Sequence, residues 1–335
     1  MSNPKTAIAH SAEAGRRGSD VRSDCWVRME PKGGGGIDLN LKSKVESMYG
    51  DATRSLVREV LAGLGVENAR VEIEDGGALP FVIAARVEAA ARRLGLDVGE
   101  GYTLDFADGT QYGTQRDRFR RSRLYLPGNE SKFMLNAGLH KPDAVILDLE
   151  DSVAPPEKDA ARILVRNALR AINFYGAERM VRINQGDRGL EDLEFIVPHN
   201  VHLILIPKVE SAEQVRQVDE RIGEILSRAA GTGDPDDVGS PRGAPAQNPS
   251  QNGIFLMPII ESALGAIRSY EIATASDNIV ALAIGLEDYT ADIGTQRTPE
   301  GRESFWARSQ VVNAARAAGI QPIDTVFSDV ADLDG

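Results

Sequence analysis

The sequence is short of the residues that build disulfides, zinc sites and imidazole catalysis, with one cysteine, Cys25, and four histidines in 335 residues. A lone cysteine forms no intramolecular disulfide, and a reducing, cytoplasmic compartment is expected. His10, His140, His199 and His202 are scattered without metal-ligand spacing, so neither a zinc centre nor a histidine pair is expected. No apolar run approaches the roughly 20 residues of a membrane-spanning helix. The opening stretch "MSNPKTAIAHSAEAGRRG" lacks the apolar core of a secretory signal. Positive charge is in deficit too, because 38 Lys and Arg face 50 Asp and Glu for a net charge of −12. That balance argues against non-specific binding to nucleic-acid phosphates, though a few local basic residues can still hold a phosphate-bearing ligand.

What is present divides in two. Residues 1–96 read as a small α+β domain in the order ββαβα: strands "CWVRMEP" and "GIDLNLKS", a helix with Val45, Met48, Leu56, Val60 and Leu61 on its apolar stripe, strand "ARVEIED", and a helix that opens at Pro80. Residues 97–120 are rich in Gly, Asp, Thr and Gln without periodicity and read as a linker. From 121 to 335 seven short apolar runs alternate with helical patterns, from "SRLYLP" and "DAVILDLED" to "IVALAIGLED" and "PIDTVFSD". Uninterrupted apolar strands between helices indicate parallel βα units buried on both faces. No Gly-x-Gly-x-x-Gly turn follows the first strand, as a dinucleotide fold requires. The α/β pattern therefore predicts a TIM-type (β/α)8 barrel lacking its last strand and C-terminal helices. Seven strands leave two open edges, so a truncated sequence or a second chain over the gap is expected. Residues 231–252, dominated by Gly, Pro, Asp, Ser and Asn, read as a flexible surface insertion.

Barrel enzymes carry their chemistry at the C-terminal ends of the strands. Those ends supply Asp148, Glu150 and Asp151, then Arg182 and Asn184, Lys208 and Glu210, Glu261, and finally Glu287 and Asp288. Acids crowded in one mouth repel unless a cation intervenes, and oxygen-only ligands favour a hard ion such as Mg2+. An acid after a strand also caps helices, a role open to Glu287 and Asp288. Lys208 reads as a solvated or structural charge, since nothing beside it in the sequence lowers its pKa.

Several stretches carry a resemblance. "SRLYLPGNESKFM", "DAVILDLEDSVAPPEKDAAR", "VRIN", "IPKVESA", "IIESALGA" and "AIGLEDY" resemble the citryl-thioester lyase (β) subunit of citrate lyase, in the HpcH/HpaI aldolase superfamily. "SDCWVRMEP", "VESMYGDATRSLVREVLAGLGV" and "EDGGALPFVIAARVEAAARR" resemble its acyl carrier (γ) subunit. The resemblance implies a γ–β fusion that cleaves a citryl thioester to an acetyl thioester and oxaloacetate with Mg2+, beside a transferase (α) subunit and as a homo-oligomer. It makes Glu261 and Asp288 the metal ligands and Arg182 the arginine that binds the oxaloacetate portion, a task suited to a planar fork. It leaves Asp148 and Glu150 as candidate bases or as groups that orient metal-bound water. It assigns Pro127, Gly128 and Asn129 to a CoA-like group, where a glycine and backbone N–H groups suit phosphate. In the carrier family a serine two residues before the aspartate bears a phosphoribosyl-dephospho-CoA arm; here Arg22 stands at that place before Asp24, and Ser23 and Ser19 are the neighbouring hydroxyls. A malyl- or citramalyl-CoA lyase and a non-catalytic docking subunit are the alternative readings.

Overall fold

The computed structural model of the chain describes residues 9–231 and 253–326. Its contacts divide into two compact units, one of Met1–Thr110, Leu126–His140 and Asp151–Tyr175, the other of Gln111–Tyr125, Lys141–Glu150 and Gly176–Gly335.

The first unit contains strands β1 (Ala12–Gly15), β2 (Cys25–Pro31), β3 (Ile37–Ser43) and β4 (Ala69–Asp75) with helices α1 (Glu46–Gly63) and α2 (Pro80–Arg93). The sheet order is β1-β2-β4-β3; β2 runs antiparallel to β1 and β4, while β3 and β4 are parallel. The sequence pattern omitted β1, whose four residues "AEAG" are too few and too small to show an alternation. In β4, Ala69, Val71, Ile73 and Asp75 are buried and the residues between them are more open, the period-2 pattern of a sheet covered on one side.

Helix α2 is buried from Phe81 to Ala91 on every face, Arg86 and Glu88 included. Its small alanines let it lie between this sheet and helix α4 (Lys158–Ala171), which belongs to the same unit after the short helix α3 (Ser131–Met134). Burying Glu88 is tolerable because Arg166 meets it with two bonds of 3.1 and 2.6 Å, and the Tyr102 amide donates to it at 2.9 Å. The Asn167 amide adds a bond to the Phe81 carbonyl at 3.1 Å.

The sheet of the second unit takes in strands β5 (Arg123–Pro127), β6 (Ala144–Asp148), β7 (Glu178–Arg182), β8 (Leu203–Ile206), β9 (Phe255–Ile260), β10 (Ala281–Ile284) and β11 (Gln321–Ile323). They lie in sequence order across the sheet, and β6 to β11 pair in parallel. Helices α5 (Gly186–Ile196), α6 (Ala212–Gly231), α7 (Ala263–Ile267), α8 (Ser269–Ala273), α9 (Leu286–Asp292) and α10 (Phe305–Ala317) connect the later strands. Ile146, Met180, Leu203, Phe255, Met257 and Ala281 form the centre of its core. The seven strands expected from the apolar runs are all here, and each central strand is buried along its length as parallel packing requires. Apart from Gly231, the expected insertion at 231–252 lies outside the described residues, and among the described residues no helix is long and apolar enough to cross a membrane.

Residues 111–121 have no regular structure, in keeping with their composition, yet they are tied to the N-terminal ends of the strands. Arg116 donates to the carbonyls of Asp277 and Ile279 at 2.6 and 2.8 Å, and Arg118 to that of Asp143 at 2.9 Å. Arg120 and Glu178, both fully buried, join through two bonds of 2.7 and 2.9 Å. His202 is also buried there; its Nδ1 accepts from the Arg179 amide at 3.1 Å. Burial and then the Arg179 charge push its pKa down to about 3.

Candidate functional site

Because strands β6 to β10 are parallel, their C-terminal ends share one edge of the sheet. Asp148 and Arg182 close β6 and β7, Lys208 follows β8 by two residues, Glu261 follows β9 directly, and Asp288 lies in the first turn of α9 after β10. The strand register alone places Asp148 opposite Arg182.

Arg182 grips Asp148 with two bonds of 2.7 Å, and its remaining terminal nitrogen lies 3.2 Å from Glu150. Burial would lower this guanidinium, but the hydrogen bonds and charge of Asp148, with Glu150, hold it above its ordinary value. Its carbon stands 5.4 Å from the centre of the Tyr125 ring. Glu150 accepts from Gln185 at 2.8 Å and faces Lys208 Nζ at 3.4 Å.

Lys208, read from the sequence as a solvated or structural charge, is an ion-paired one. Its ammonium stands 3.4 Å from Glu150 and 3.5 Å from Asp288, and its backbone N–H donates to Glu261 at 2.8 Å. Its φ of 50° is left-handed, a conformation that costs a residue with a Cβ about 1–2 kcal/mol. The sequence marked Lys208 as a strand-exit residue but gave no sign of the carboxylates that it meets there. Gln185 and Tyr125 were missed for lack of any such signal.

Burial raises the Glu261 carboxyl, the Lys208 amide opposes this and the Asp288 charge adds to it, for a pKa of about 7. The close fit over Gly285 explains that residue: a Cβ there would stand 2.8 Å from Glu261 Cγ. Neither Glu287 nor Asp288 caps α9, since the N-cap is Gly285. Glu287 is exposed and pairs with Arg297 at 2.7 Å, while Asp288 turns to Lys208.

Among the described residues no group of three or more His, Cys, Asp or Glu forms a metal cage. A hard divalent ion needs no such cage, because Mg2+ is commonly held by one or two carboxylates with water and substrate oxygens completing the shell. Glu261 and Asp288 fit that donor chemistry.

Residues 121–335 match the family model described as HpcH/HpaI aldolase/citrate lyase. The chain belongs to this family. Residues 10–94 match the model of the malonate decarboxylase delta subunit (MdcD), an acyl carrier protein. The citrate lyase subunit β of Haemophilus influenzae is 39% identical over 65% of this chain and 69% of its own length. The L-malyl-CoA/beta-methylmalyl-CoA lyase of Cereibacter sphaeroides is 31% identical over 65% of this chain and 70% of its own. A solved citrate lyase β subunit from Mycobacterium tuberculosis, complexed with oxaloacetate and magnesium, is 27% identical, covers 65% of this chain and 82% of that one, and has a TM-score of 0.46. The family and the two sequence relatives make the chain a carbon–carbon lyase fused to an acyl-carrier-like domain.

The remaining expected positions belong to the first unit. Gly128 and Asn129, after Pro127 at the end of β5, are buried, and the Asn129 carbonyl accepts from Arg86 at 3.2 Å. Ser23 is half-buried at φ 57°, its carbonyl accepting from the Ser131 hydroxyl at 2.5 Å. Ser19 and Arg22 are exposed.

Proposed function

We propose that the chain cleaves a citryl thioester to an acetyl thioester and oxaloacetate in a Mg2+-dependent retro-Claisen reaction, working in the cytoplasm beside a transferase subunit. The observation that carries this reading is the meeting of Arg182, Glu150, Glu261 and Asp288 with Lys208 at one strand edge.

Glu261 and Asp288 would hold Mg2+, which when bound supplies a Lewis acid for the substrate's hydroxyl and developing keto oxygen. Asp148 aims the Arg182 fork, so that its outer N–H groups receive a carboxylate of the oxaloacetate portion. Glu150, held by Gln185 and Lys208, takes the hydroxyl proton as the carbon–carbon bond breaks. The electron pair of that bond goes to the acetyl thioester as its enolate, which is then protonated on carbon.

The test is oxaloacetate release from citryl-CoA with Mg2+ present. Release that is lost in Asp288→Ala supports the reading; full release by that variant sinks it. The malyl-CoA lyase relative supplies a second reading, and a higher kcat/KM for malyl-CoA than for citryl-CoA reassigns the substrate.

A further inference from the structure

The loop between β1 and β2 borders two adjoining cavities of about 320 Å3 each, within the usual size of small-ligand sites. Both share Arg16, Arg17, Ser19 and Val21. One adds Lys42 and Lys44; the other adds Arg22, Glu130 and Lys132. In a chain of net charge −12 this is a local excess of cations.

The first cavity also carries Glu74 and Asp75, and Asp75 accepts from the Ser43 hydroxyl at 2.6 Å. Glu130 pairs with Arg16 and, at 3.8 Å, with Lys132, and Asp24 is gripped by buried Arg86 at 2.9 and 2.8 Å. Asp20 accepts from Ser19 at 3.3 Å. Lys44 donates to the carbonyls of Ser19 and Val21 at 2.7 and 3.0 Å, which holds the loop in its shape. Arg17 lies over the Trp26 ring at 4.5 Å. Among the described residues Arg22 and Lys42 have no ion-pair partner. Arg86 Nη1 and Asn129 Oδ1 are buried without a hydrogen-bond partner, in residues that line neither cavity.

The loop is also fixed. The Ser131 hydroxyl bonds the Ser23 carbonyl, Arg86 bonds the Asn129 carbonyl, and α2 is locked to α4 by the buried Glu88–Arg166 pair, all within one unit. A carrier that shuttles its cargo must leave such contacts; a binding site benefits from them. At Arg22, where the carrier pattern has its serine, a cation receives a phosphate and cannot be esterified by one.

We propose that the carrier-like fold here is a fixed, non-covalent site for the phosphates of a soluble nucleotide-bearing thioester of the CoA class, formed by Arg16, Arg17, Arg22 and Lys132. This deepens the lyase reading, on which it rests, by making the substrate a free thioester. The same phosphates could arrive on a covalent arm, and the experiment separates the two.

Calorimetric titration of the full chain with CoA should give one site, competed by inorganic diphosphate and not by pantetheine, which lacks the phosphates. Arg22→Glu with Lys132→Glu should weaken CoA at least tenfold, and Arg22→Lys should retain binding. Both altered residues are exposed or at a rim, and unchanged thermal unfolding verifies the fold. Unchanged affinity in the double variant, or pantetheine competing as well as CoA, overturns the proposal. So does a CoA-type mass adduct on Ser19 or Ser23 in chain purified from its native host. Asp288→Ala should bind CoA like the parent; if neither releases oxaloacetate while binding follows the loop charges, the lyase reading falls and this site stands.

Discussion

The two ends of the seven-stranded sheet both bury ionised groups, and they do it differently. At the N-terminal end Glu178 has each oxygen filled, by Arg120 and by the Thr114 hydroxyl at 2.5 Å, and both charges of the pair are fully buried. At the C-terminal end four carboxylates stand with two cations: Asp148, Glu150 and Asp288 pair with Arg182 and Lys208, and Glu261 accepts from the Lys208 backbone N–H. The first set is neutral and closed. The second is short of two positive charges when fully ionised, and its outer members are open, the Asp288 side chain being 39% exposed. A structural pair is neutralised within the fold, whereas a site keeps a deficit for its ligand to fill, here one that a divalent cation cancels.

The contrast breaks if removing a charge at either end has the same consequence. Asp288→Ala should cut oxaloacetate release by about a thousandfold or more, the scale for losing a group that stabilises developing charge. Its urea midpoint should hold or rise, because like-charge repulsion is relieved; a clear loss of stability would make Asp288 structural. Glu178→Gln should do the reverse. It leaves Arg120 buried without a counter-ion, a change that costs about 3–5 kcal/mol, read by urea unfolding, while Mg2+ affinity of the folded variant stays at the parental value by calorimetry.

The sequence was informative at one end and nearly silent at the other, for a physical reason. Strand exits are marked by an abrupt switch from aliphatic to acidic, as at Ile284 to Asp288, and parallel order then brings the exits to a common edge. Asp148, Arg182, Glu261 and Asp288 could be read that way. The position of Lys208 could be too, but not its role, which depends on neighbours 58 and 80 residues away in sequence, Glu150 and Asp288, and on a left-handed backbone that no side-chain pattern reports. The N-terminal end hid its pairs in a stretch whose Gly, Asp, Thr and Gln content reads as a linker. Besides the bonds to Glu178, its arginines donate to backbone carbonyls, which carry no sequence signature. Strand β1 was invisible for want of length.

A pH titration sharpens the comparison further. Unfolded, a histidine protonates near its ordinary pKa of about 6.5, whereas folded His202 resists protonation down to about 3. Between those values the unfolded chain binds more protons, so stability is full above 6.5 and is lost as the pH falls towards 3. The loss is about 1.4 kcal/mol per pH unit, or about 3 kcal/mol by pH 4.5. His202→Gln should show a shallower decline in urea unfolding over the same range; an unchanged slope would mean that His202 is not the buried neutral group that the N-terminal end requires.

The smallest effect tests the C-terminal end most directly. Lys208 Nζ stands against Glu150 and Asp288, so its charge neutralises in part the carboxylates that a divalent ion would use and repels that ion in turn. At the few kcal/mol or less that separate unit charges near a protein surface, removing the ammonium while keeping the aliphatic stem should tighten Mg2+ by about tenfold. Lys208→Met with Mg2+ in calorimetry reads this without turnover. Lys208→Gly relieves the left-handed strain as well, so it should be the more stable of the two variants with a similar gain in affinity. Weaker Mg2+ in both would mean that the side chain organises the carboxylates for the metal, and that the C-terminal end, like the N-terminal one, depends on its own cations for its shape.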